Sequence, residues 1–123
     1  IGGDAGENFT NDATGNTLVG YGTGMDITSG FGNVLFGNYA GQNITTGDEN
    51  VAIGSTSGST LTTGNQNFFA VVGAGMALKT GYGNICLGAF TMAADDGLGS
   101  DSLNVLIGHR AGTYNSGSST ILI

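Results

Sequence analysis

Few side chains in this sequence could do chemistry. The chain carries nine Asp and Glu, two Lys and Arg, one His and one Cys. Asp95, Asp96 and Asp101 form the densest acidic group, and hard cations want several carboxylate oxygens. These three are therefore the metal candidates. Their spacing matches no Ca²⁺ loop, so an acidic bulge on the surface is the plainer reading. Glycosidase chemistry would need two carboxylates held across a cleft about 5 to 10 Å wide. A narrow repeat offers no obvious cleft. His109 stands beside Arg110 with no Ser, Cys or carboxylate at a spacing that suggests a triad. The pair suits an anionic surface ligand such as an acidic sugar, and its bland reading is an exposed loop. Cys86 sits between Ile85 and Leu87, the setting of a buried, inert thiol. No cofactor and no enzymatic activity are expected.

The polar residues that recur are more informative. Asn appears at 16, 33, 50, 67, 84 and 104. Stacked Asn side chains can hydrogen-bond to one another and cap turns, so this is a structural ladder. Thr and Ser recur as Thr28-Ser29, Thr45-Thr46 and Thr62-Thr63, with Lys79-Thr80 next. Such a row is a solvated β-surface in its plain reading. Sharper readings are a repeated glycan contact through Thr45, Thr46, Thr62 and Thr63, or an ice-ordering face. Asn8-Phe9-Thr10 and Asn43-Ile44-Thr45 match the glycosylation acceptor pattern, which arises readily by chance in an Asn- and Thr-rich repeat.

The elements that must position these residues follow from a fixed period. Asn16–Asn33, Asn33–Asn50 and Asn50–Asn67 each span 17 residues and share one grammar. Asn opens the unit, an apolar triplet follows, then Gly, a small residue with Gly, one isolated apolar residue, and Thr-Thr-Gly. Residues 1–123 therefore read as one repeat domain, with coils starting near Ile1, Asn16, Asn33, Asn50, Asn67, Asn84 and Asn104. One extra residue falls between Asn11 and Gly15. Val71 takes the first Gly phase of its coil, and Met92 the second Gly phase of the next. The coil from Asn84 is three residues longer, with the insertion near Ala94–Asp96 and Leu98 in the isolated apolar slot. The final Thr120-Ile121-Leu122-Ile123 repeats the strand, with Thr120 in the Asn phase.

A single 17-residue unit cannot bury a core, but stacked units share one. Gly every few residues excludes helices, at a cost of about 1 kcal/mol each. The triplets read as short parallel strands. The fold class is therefore all-β, a parallel β-solenoid (β-helix). Both faces of each triplet are apolar, which implies burial on both sides. One coil can bury only one face. The second calls for another sheet, from this chain or from a partner, and a parallel homotrimer is expected.

Composition narrows the partners. With 25 Gly, no Pro and no three-residue repeat the chain is not collagen-like. A net charge of −7, with Lys79 and Arg110 the only strong bases, argues against nucleic acid and anionic membranes. No apolar run approaches a membrane span. One Cys allows no intrachain disulfide.

The pattern Asn-apolar-x-apolar-Gly-x-x-Ala-Gly-x-x-apolar-Thr-Thr-Gly-x-x-Asn resembles shaft repeats of bacteriophage tail fibres. It is similar, more loosely, to the head repeats of trimeric bacterial surface adhesins. The resemblance covers nearly the whole chain, most clearly Asn16–Gly64 and Asn104–Gly112. It implies a trimeric β-helical fibre without enzymatic activity, extracellular or carried on a virion. The expected role is a shaft that presents, or contributes to, host-surface glycan binding. An alternative is a self-assembling filament, because both ends fall in strand phase and open strand edges template stacking. Since the chain opens on Ile1, a segment excised from a longer rod is the other expectation. A third alternative is the ice-binding solenoid.

Overall fold

A computed structural model describes residues 1–93, 99–114 and 117–123. Seven short strands form one parallel sheet in chain order: β1 (Thr17–Val19), β2 (Val34–Phe36), β3 (Val51–Ile53), β4 (Phe68–Ala70), β5 (Ile85–Leu87), β6 (Val105–Ile107) and β7 (Ile121–Leu122). Thr17 pairs with Val34, Val34 with Val51, Val51 with Phe68 and Phe68 with Ile85. The chain is thus a β-solenoid of about six coils, and no helix occurs among the described residues. At about 4.8 Å per step, six steps make a sheet roughly 29 Å tall.

β7 follows Thr120, and β4 runs into Val71; each other strand is a mainly apolar triplet between Asn and Gly. The Gly ends it for a steric reason. Gly37 has φ +140°, and a Cβ there would lie 2.5 Å from the Gly54 carbonyl oxygen of the next coil. The backbone then closes the coil through left-handed residues in register. The row Gly22, Tyr39, Thr56, Gly73, Phe90 and Arg110 has positive φ in every coil, Gly or not. Backbone hydrogen bonds join neighbouring coils around the whole perimeter. Examples are Gly24 N–H to Ala40 C=O and Thr28 N–H to Thr45 C=O.

Inter-coil hydrogen bonds bracket the irregular stretches. Thr10 N–H bonds Thr28 C=O, and Gly32 N–H bonds Thr14 C=O. The extra residue of the first coil therefore lies between these points. Ala77 N–H bonds Met92 C=O, while Lys79 N–H bonds Gly99 C=O. The longer coil thus gains its length between Met92 and Gly99. Ala94–Asp96 and Leu98, the expected places of the insertion and the apolar slot, lie outside the described residues. Thr120 N–H donates to Asn104 Oδ1, which puts Thr120 in the Asn phase.

The core is a column inside the coils. The middle strand residue points inward: Leu35, Ala52, Phe69, Cys86 and Leu106 are all buried. Opposite them stand Ile27, Ile44, Leu61 and Leu78. A small residue fills the third corner, namely Thr23, Ala40, Ser57, Ala74 and Thr91. Ala52 leaves room that the next coil fills. The Phe69 ring sits so close to Gly58 and Gly75 that a Cβ on either would meet it at 2.8 or 2.7 Å.

Candidate functional surface

The Asn ladder occupies the corner just before each strand. Asn33, Asn50, Asn67, Asn84 and Asn104 are buried. Each donates its own backbone N–H to Oδ1 of the Asn one coil earlier, at 2.9 to 3.1 Å. Its Nδ2 donates to the same Oδ1. For Asn16, Asn33, Asn50 and Asn67, Nδ2 also donates to the carbonyl of Gly30, Gly47, Gly64 and Gly81 in turn. Asn84 uses Asp101 C=O in that position. A short amide is the side chain that can accept from one coil and donate within its own.

A second ladder, which the sequence reading missed, runs two residues before the first and in the opposite sense. Phe31 N–H donates to Asp48 Oδ1 in the next coil, and Asp48 N–H to Asn65 Oδ1. Tyr82 N–H donates to Ser102 Oγ, and Ser102 N–H to Ser118 Oγ. The available signal was the recurrence of Asp, Asn and Ser at this phase.

The Thr row serves the stack as well as the surface. Thr28 Oγ1 donates to Thr45 C=O, Thr45 Oγ1 to Thr62 C=O, and Thr62 Oγ1 to Lys79 C=O. These hydroxyls each make a hydrogen bond inside the protein. The adjoining Thr46, Thr63 and Thr80 are the exposed members of this edge.

The outer face of the sheet is lined with partly exposed apolar side chains. The first and third strand residues point away from the core and form two rows. Val34, Phe68 and Ile85 are 37–40% exposed in the first row, and Phe36, Ile53 and Ile107 37–56% exposed in the third. The two-sided apolar character of the strands therefore does not lead to burial on both sides by this chain. Among the described residues no second sheet covers the face, because the remaining sides of each coil are turns. The face carries no charged residue, since every strand position is apolar or Thr.

The isolated candidates are dispersed. His109 and Arg110 are exposed on the last complete coil. The His109 ring meets Phe90 edge-on at 6.3 Å between centroids. Arg110 lies in the left-handed row with φ +59°, far along the chain from Thr45, Thr46, Thr62 and Thr63. Asp95 and Asp96 lie outside the described residues, and Asp101 is half-buried. Among the described residues no group of three or more His, Cys, Asp or Glu is placed to hold a metal ion, and there is no cavity. Cys86 is buried, and burial pushes its thiol up to about 12, against a hydrogen bond with Thr91. The Tyr21 hydroxyl is pushed up by its hydrogen bond with Asp4. No known protein family, curated protein or solved structure matches the chain.

Proposed function

We propose that this chain is a non-enzymatic shaft segment of an extracellular fibre, of the kind carried by phage tails. Copies pack side by side through the outer face of the sheet. The observation that carries this reading is the continuous apolar face, uncharged over seven strands and uncovered among the described residues. Monomers seldom leave contiguous apolar patches beyond a few hundred Å² exposed. Phe36 is 56% exposed and Phe68 37%, and an aromatic side chain covers about 150–250 Å² when buried. The parallel homotrimer closes such a face around an axis along the rod. The stacked backbone supplies stiffness. The exposed Thr46, Thr63 and Thr80 supply repeated weak contacts for host-surface glycans, which gain strength through avidity.

Charge placed on the face tests the reading. Phe36→Asp and Ile53→Asp alter side chains outside the core, so each variant keeps its far-ultraviolet spectrum. In sedimentation velocity the wild type runs as an oligomer and both variants run as the 12.2 kDa monomer. A wild type that sediments as a monomer refutes the reading.

A further inference from the structure

The outer face also carries information about how two copies would be aligned. Resting on the reading of this face as the contact between copies, we propose that association is parallel and in register. Phe68 of one copy seats over Ala70 of its partner, and this pair fixes the alignment.

The two rows differ in side-chain size from layer to layer. In β4 the first-row residue is Phe68 and the third-row residue is Ala70, the largest and the smallest side chains found in their rows. In β2 the sizes are reversed, with Val34 in the first row and Phe36 in the third. The other strands carry residues of middling size in both rows. A rotation axis along the rod imposes two consequences. It allows no axial shift, so each layer meets the same layer of its partner. It also sets the first row of one copy against the third row of the other, whether two or three copies surround the axis. Phe68 then meets Ala70, and Phe36 meets Val34. Each bulky ring faces the smaller residue of its own layer, the alternation a close-packed core requires.

An antiparallel arrangement sets each row against itself. Phe68 then faces another first-row residue, and Ala70 faces a third-row residue, with no layer-by-layer compensation. The absence of charge on the face matters too. The acidic side chains Asp26, Asp48 and Glu49 lie on the turns. Copies of a −7 chain can therefore bring their strands together with like charges held apart. Only a sheet with the same coil spacing can match these rows over the full height, which favours a second copy of this chain as the occupant.

Cysteine cross-linking tests the alignment in a Cys86→Ala background. Chains bearing F68C and chains bearing A70C are co-expressed, purified together and oxidised. The expected product is a disulfide joining an F68C chain to an A70C chain. F68C expressed alone should give less than about a tenth of that yield, because an aligned cyclic contact separates the two first rows. A size swap gives an independent readout. A70F should weaken association at least about tenfold through overpacking, and F68A/A70F should recover most of it. Abundant disulfides between two F68C chains, with none between F68C and A70C, would overturn the alignment while leaving the face as an interface. A wild type that is monomeric by light scattering overturns both the alignment and the shaft reading on which it rests.

Discussion

At the residue scale, stability rests on short polar side chains that each bond to two coils. Asn50 shows why an Asn is needed. Its Oδ1 accepts from both N–H groups of Asn67, and its Nδ2 donates to Asn33 and Gly64. Asn50→Ala leaves the Asn67 N–H and the Gly64 carbonyl buried without these partners. Each orphaned group costs about 1–3 kcal/mol, so urea unfolding should show a loss of roughly 2–4 kcal/mol. Ser57 is the opposite case. Among the described residues its Oγ is the buried side-chain polar atom without a hydrogen-bond partner. The same phase is Ala at 40 and 74. Ser57→Ala should therefore be neutral or stabilising by up to ~1 kcal/mol. Cys86 sets a pH limit. Its folded value of about 12 lies above the ~8.5 of a free thiol. The unfolded chain loses its proton first, so the stability held below about pH 8.5 falls as pH rises towards 12. Unfolding free energy measured between pH 8.5 and 10 should decline in the wild type and be flatter in Cys86→Ala.

At the element scale, what decides the fold is how closely one coil lies on the next. Gly47 sits where a Cβ would come 2.5 Å from the Gly64 carbonyl oxygen. That neighbour is backbone and cannot rotate away. Gly47→Ala should cost at least ~2 kcal/mol and lower the melting temperature clearly. Val71 is the counterpart, a β-branched residue held at φ +84° where the neighbouring coils use Gly54 and Gly88. Such strain costs about 1–3 kcal/mol, against about 0.5–1 kcal/mol for the extra freedom of a Gly. Val71 is half exposed and loses little packing. Val71→Gly should raise stability by about 1 kcal/mol in thermal unfolding. Much of this level was legible in the sequence. A side chain that stacks on its own equivalent is read as a repeat, so Asn16 to Asn104, the seven triplets and Thr120 could all be placed. The ladder through Asp48, Asn65, Ser102 and Ser118 was not read, because Phe31 and Tyr82 interrupt its chemistry. The left-handed row was hidden for a related reason. Tyr39, Thr56, Phe90 and Arg110 do not advertise positive φ, and the stack imposes it on them.

At the scale of the whole molecule, the alternation of each triplet sorts inside from outside. Leu35 goes to the core, while Val34 and Phe36 go to the outer face. The sequence marks both sides as apolar but does not say which one the chain itself covers. The geometry gives that answer: a coil with one strand and several turns encloses a single column. On the proposed reading, the outer face is the surface through which rods meet. Multi-angle light scattering of the intact wild-type chain, over a tenfold range of concentration, tests this most directly. The predicted mass is at least twice 12.2 kDa, and three times that value for a trimer. A mass of 12.2 kDa at every concentration would contradict it.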